Sequence, residues 1–210
     1  MKASKKKQLK VRLLQDAKQR VRRMKPLIRQ IASILRRFNS KKTLRNIKSA
    51  VKSNNTVKMH RMMQDMKTRA LQNALSKAGF RTMSVGVQSS AAIAGGYGRE
   101  TGAAQDIYGN NRPTMYVSKT YFGGVIVGVG NDLVISAFTD GQTSINGSLY
   151  AAIGNFDVGS GVGLVLWYDK RSLMIKGISV GIGIGSVGAG GAVGHGTTYL
   201  CPSQACNRVF

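Results

Sequence analysis

The stretch LQDAKQRVRRMKPLIRQIASILRRF, residues 14–38, spaces Leu14, Ala17, Val21, Met24, Ile28, Ile31, Leu35 and Phe38 by 3, 4, 3, 4, 3, 4 and 3. That period is the seam of an amphipathic α-helix. Leu13, Leu27 and Ile34 widen the seam on one side, which suits a bundle or a sheet surface better than a bare two-stranded coil. Arg22, Arg23, Arg29, Arg36 and Arg37 fall on the outer flank, so an apolar face is separated from a guanidinium face. Pro26 is also on the outer face, where a kink or the start of a second, collinear helix is expected.

Following this stretch, Asn39-Ser40 reads as a break, with Ser40 able to cap a short second helix carried by Leu44, Ile47 and Val51. Ser53-Asn54-Asn55-Thr56 is the next break. A third helix is expected over 57–78, ending at Gly79. Its apolar positions include Met59, Met62, Met63 and Met66. Flexible thioethers suit surfaces that take varied partners, but a core against the first helix is the favoured reading.

A second stretch, ISVGIGIG at 178–185, has a different period. Ile178, Val180, Ile182 and Ile184 alternate with Ser179, Gly181, Gly183 and Gly185. One face of this strand is bulky and the other nearly bare backbone, so a helix, a facing sheet or a neighbouring subunit is expected close to it. Further strands are expected at 115–122, 125–129, 133–138, 148–153, 162–168, 173–184 and 192–200. Gly130-Asn131-Asp132, Asp140-Gly141, Gly154-Asn155 and Asp169-Lys170-Arg171-Ser172 supply the turns. Short strands without intervening helices predict an antiparallel meander, as a sandwich or small barrel. The expected fold is therefore α+β: about three basic helices over 1–85, a linker of glycine and small residues over 86–112, and a glycine-rich antiparallel β domain over 113–210.

Charge divides the 210 residues in the same place. Residues 1–85 hold 25 Lys and Arg against Asp16 and Asp65, a net +23. Residues 86–210 hold seven basic against six acidic side chains, a net +1, and 25 of the 26 glycines. A field of one sign calls for a polyanion: nucleic acid, an anionic membrane or an acidic protein. A solvated surface usually mixes signs. The basic part has no Tyr or Trp and only Phe38 and Phe80, which favours phosphate contact over base readout. The expected nucleic-acid-binding residues are Lys5, Lys6, Lys7, Lys10, Arg12, Arg20, Arg22, Arg23, Lys25, Arg29, Arg36, Arg37, Lys41, Lys42, Arg45, Lys48 and Lys52.

Little else in the sequence points to chemistry. His60 reads as a polar surface residue of the basic helix. His195 precedes Cys201 by six residues, without a third group to orient a nucleophile. With Cys206 these would give three zinc ligands where a structural site wants four. Gly183-Ile184-Gly185-Ser186-Val187-Gly188 matches a dinucleotide fingerprint by letter, but opens no helix in a βαβ unit. No catalytic residue, metal or cofactor is therefore assigned, and a non-enzymatic role is expected. Cys201 and Cys206 are expected as reduced thiols, since no secretory signal follows Met1. The same observation makes the expected location cytoplasmic or within a virion or nucleoprotein particle. A basic arm on a β domain suggests a structural protein that binds nucleic-acid phosphates and self-assembles, as a homo-oligomer or larger array. The alternative is a membrane-active protein, a pore former or injected toxin, whose basic helices lie on anionic lipid and whose glycine-alternating strands insert.

Overall fold

A computed structural model describes residues 2–92, 96–123, 128–154, 162–182 and 192–201, with backbone alone at 2–6, 90–92 and 128–131. Four helices come first: α1 (Lys2–Phe38), α2 (Lys41–Lys52), α3 (Thr56–Met66) and α4 (Arg69–Lys77). Eight antiparallel strands follow: β1 (Thr82–Ala92), β2 (Gly96–Asp106), β3 (Thr114–Gly123), β4 (Gly128–Phe138), β5 (Gly147–Gly154), β6 (Val162–Tyr168), β7 (Ile175–Ile182) and β8 (Ala192–Cys201). They close into a barrel of order β1-β2-β3-β8-β5-β6-β7-β4.

The barrel corrects two expectations. It is not a meander: β4 returns to pair with β1, and β8 returns to pair with β5. Each run of four consecutive strands is thus a Greek key, and the two keys meet at the β3–β8 and β4–β7 seams. Nor is 86–112 a linker. It holds most of β1 and all of β2, paired from Thr82↔Asp106 to Ala92↔Gly96. Small residues there suggested a connector, but Gly86, Gly98 and Gly102 line a narrow interior, and Ala103 on the opposite face packs in the core shared with the helices. At Gly102 a Cβ would run into the Val85 carbonyl and lie 2.7 Å from the Gly86 Cα. A Cβ driven into a neighbouring strand's backbone marks the concave side, so this face is the inside of the barrel.

The interior is filled rather than open. Phe138 covers Gly177, where a Cβ would come within 2.6 Å of its ring, and Trp167 reaches across to Gly196. The Trp167 indole donates to Ser179 Oγ at 2.8 Å, and Ser136 donates to the same oxygen at 2.7 Å. The bare face of β7 therefore meets bulky interior side chains. Its bulky face points outward, where Ile178 and Val180 are fully buried against the helices. Calls at 124–127 and 183–191, including the dinucleotide match and Ile184, and the Asn155 turn lie outside the described residues.

The helices explain that burial. α1 packs on β7, β4, β8 and β5, and α2 on β2, β1 and β4. Leu13, Ala17, Val21, Leu27, Ile28, Ile31, Ile34 and Leu35 are all buried, while Leu14, Met24 and Phe38 are half-buried. The stripe is centred further towards Leu13 and Leu27 than the heptad alone implies. α1 runs unbroken through Pro26, which stands on its exposed side. There the Arg22 carbonyl, deprived of its helical donor, can be hydrated.

Side-chain caps set the other boundaries. Ser40 accepts from the Thr43 N–H at 3.1 Å, and Asn55 from the Lys58 N–H at 2.9 Å. The expected single helix over 57–78 is two helices. Thr68 turns out of the helical path and its Oγ1 accepts from the Leu71 N–H at 3.2 Å, starting α4. α4 ends at Gly79, whose φ of +85° suits glycine; Gly79 N–H bonds to Ser76 and Phe80 N–H to Leu75, the paired bonds of a Schellman end. Met59, Met63 and Met66 are buried in the shared core, as expected of a packing role. Cys201 is disulfide-bonded, which corrects the expectation of reduced thiols. The chain's other cysteine, Cys206, lies outside the described residues.

Candidate nucleic-acid interface

Burial of the apolar stripe dictates where the charges go. Once Ile28, Ile31 and Leu35 face the barrel, residues on the far side of α1 face water. Lys7, Lys10, Arg12, Lys18, Arg22, Arg23, Arg29, Arg36 and Arg37 are exposed there. α1 alone spans about 55 Å at the usual helical rise. Only Asn39 and Ser40 separate it from α2, so Arg36 and Arg37 at the end of α1 are followed closely along the chain by Lys41 and Lys42. Lys41, Lys42, Arg45, Lys48 and Lys52 are exposed on α2. None of the four helices has an acidic residue in its first turn, so the positive ends of their dipoles are not neutralised locally.

Not every expected residue belongs to this surface equally. The Arg20 guanidinium is paired with Asp16 at 2.7 Å. Asp16 also stands beside the buried Tyr168 hydroxyl; burial first, and then that carboxylate, push the phenol's pKa up. Lys25 is half-buried. Lys5 and Lys6 lie where side chains are outside the described residues. Arg61, Arg69, Lys77 and Arg81 are exposed on α3, on α4 and at the barrel entry, and extend the basic surface beyond the residues expected. The net charge of 1–85 was the available signal for them.

One lysine does a different job. Lys67 is 6 % exposed and its Nζ lies 3.2 Å from Gln105 Oε1 and from the Asp106 and Gly109 carbonyls. Burial lowers its pKa, with the Asp106 charge opposing. Gln105 in turn donates to the Asn111 carbonyl and reaches His60 Nδ1 at 3.1 Å. His60 is thus a half-buried acceptor in this network, not the surface residue expected. Gln72 Nε2 adds a bond to the Ile107 carbonyl at 2.8 Å. These contacts hold α3 and α4 to the loop after β2. The basic region is docked on the barrel rather than hanging from it as an arm.

Inside the barrel, Glu100 has Tyr116 as its hydrogen-bond partner, and the Tyr116 oxygen is 3.1 Å from Ser84 Oγ. Tyr116 donates to the Glu100 carboxyl, and the Ser84 hydroxyl can donate to the Tyr116 oxygen in turn. Burial raises the Glu100 pKa to about 7, against a smaller lowering by the Tyr116 bond. The trio is sealed from solvent and reads as interior packing. His195 is exposed and stacked on Tyr121, six residues from Cys201 along β8, so the two do not converge. Among the described residues no three His, Cys, Asp or Glu side chains gather as metal ligands. No helix among them is long and apolar enough to cross a membrane. Comparison with family models, curated proteins and solved structures finds no match for this chain.

Proposed function

We propose that this protein is a non-enzymatic structural component that binds nucleic-acid phosphates through its N-terminal helices and packs or self-assembles through its β domain, as in a virion or nucleoprotein particle. The carrying observation is the exposed basic face of α1 and α2, held on a barrel by their buried apolar face. A rigid array of Lys and Arg releases counterions from a polyanion without needing a base sequence. A closed barrel leaves no free strand edge. Its contacts with other copies would therefore run through side-chain faces.

The membrane-active alternative needs the same helices to turn an apolar face to lipid. In the folded chain that face is committed to the barrel, and Trp167, Tyr116, Phe122 and Phe138 occupy the interior that a pore would need. Both points favour nucleic acid. The deciding test sets retention on DNA and RNA, at low and high salt, against flotation with anionic vesicles. Salt-sensitive retention without flotation supports the proposal; flotation without retention overturns it.

A further inference from the structure

α1 is one unbroken helix from Lys2 to Phe38, and its outward face has an internal order. At about 100° per residue, Lys7, Lys18, Arg22, Arg29 and Arg36 fall within about 60° of one another around the axis. All five are exposed. From Lys7 to Arg36 they run for about 44 Å at the helical rise. Between Lys7 and Lys18 the strip carries Val11, which is 48 % exposed. Arg23 and Arg37, also exposed, flank it on one side. Asp16 is the one acid of α1; it lies on the barrel side, bonded to Arg20 and beside Tyr168. No carboxylate of the helix therefore interrupts the strip.

The barrel holds this strip extended. Ala17, Val21, Ile28, Ile31 and Leu35 on the opposite side of α1 are buried, and the helix packs on β4, β5, β7 and β8. The cations cannot close up around a coiled chain, so a polyanion must lie along them for about 44 Å to meet all five. Duplex DNA keeps its direction over about 500 Å and carries a charge every 1.7 Å or so of axis, about twice the density of one strand. A single strand would have to be held extended, and the usual offset for that ordering is base stacking on aromatic rings. The strip supplies none: residues 1–85 contain no Tyr or Trp, Phe80 is buried and Phe38 half-buried.

We infer that the ligand of the basic face is double-stranded nucleic acid laid along α1, with the strip of one chain covering about 13 base pairs. This inference rests on the nucleic-acid reading above. It adds the strandedness of the ligand, its direction on the protein and the length that one chain covers. Lys and Arg side chains contacting phosphates in this way fix position without reading a base sequence.

The test uses the full chain and labelled duplex DNA of about 6, 10, 14, 18 and 24 base pairs, with the salt slope of affinity measured on each. That slope counts neutralised phosphates, so it should grow up to about 13 base pairs and then stay level. Lys7→Gln, Lys10→Gln, Arg12→Gln and Lys18→Gln combined clear the N-terminal end of the strip. Growth should then stop at about 6 base pairs, the span from Arg22 to Arg36. Arg22→Gln with Arg29→Gln should instead lower the slope by about 1.8 and leave the levelling length at about 13 base pairs. Counterion release is about 0.9 per contact on a duplex and about 0.7 on a single strand, so five contacts at about 0.1 M salt favour the duplex about tenfold. The comparison strand is a thymidine oligonucleotide of about 28 nucleotides, with about as many phosphates as the duplex of about 14 base pairs. The substituted positions are exposed, and matching circular dichroism confirms that the variants fold. A levelling length unmoved by the N-terminal variant, a slope still growing beyond about 18 base pairs, or single-strand binding as tight as duplex binding overturns the inference and leaves the nucleic-acid reading standing. Absence of salt-dependent binding to every probe overturns both. Binding to phosphatidylglycerol vesicles that the N-terminal variant loses, with its duplex binding unmoved, assigns the strip to lipid and overturns the inference.

Discussion

Replacing Glu100 by Gln should stabilise the protein above neutral pH and leave it nearly unchanged in mild acid. Glu100 is buried in the barrel, and its pKa rises from 4.5 to about 7 on folding. A raised carboxyl pKa means the fold favours the protonated form. The stability this contributes is complete below pH 4.5 and is lost as pH rises through 7. At 1.36 kcal/mol per pKa unit, the whole window carries about 3 kcal/mol. Gln keeps the shape, stays neutral, and its amide oxygen can still accept from the Tyr116 hydroxyl. The assay is urea unfolding of both proteins at pH 5 and pH 8. With a slope of about 2 kcal/mol per molar, the wild-type midpoint should fall relative to the variant by a little over 1 M across that interval. The comparison removes contributions from other titrating groups, since both chains share them. If the two midpoints move in parallel between pH 5 and pH 8, Glu100 takes up no proton on folding and the argument from its burial is wrong.

Other predictions follow from single contacts. Lys67→Met should cost about 2–3 kcal/mol, because three acceptors around the Nζ lose their donor; urea unfolding and faster proteolysis of α3 and α4 would register it. Gly102→Ala should prevent normal barrel closure, whereas Gly163→Ala, which meets nothing within 4 Å, should change little; comparing soluble yield and melting temperature tests both. Ser40→Ala should cost about 1 kcal/mol by removing the acceptor for the Thr43 N–H, read from the urea midpoint.

The parts of the fold legible in the sequence are those written by periodicity. The 3-4 spacing of α1 named its buried face because one surface decides it, and Ser40 and Gly79 marked helix ends through local hydrogen bonds. The β6 run, with buried faces on both sides, was bounded by turn residues and stood where expected, Val162–Tyr168. What the sequence concealed depends on distant partners. Gly86 and Gly102 look like linker glycines until β1 and β2 curl over each other. The two returns that make Greek keys are set by pairing between strands far apart in sequence, which no local pattern encodes. Thr68 and Lys67 break the last helix because the lysine finds its acceptors on the loop after β2. Of the candidate interface, its sign and extent were legible in the count of charges. Arg20's pairing with Asp16 was not, because a count of charges does not say which cations are taken up within the fold.

The most direct test of the account is the salt dependence of duplex DNA binding by the wild-type chain and by Arg22→Gln, Arg23→Gln, Arg29→Gln, Arg36→Gln and Arg37→Gln combined. If these side chains neutralise phosphates, the slope of log affinity against log salt should shrink by about 4.5, at about 0.9 per contact. An unchanged slope, or a wild-type affinity that does not fall with salt, contradicts it.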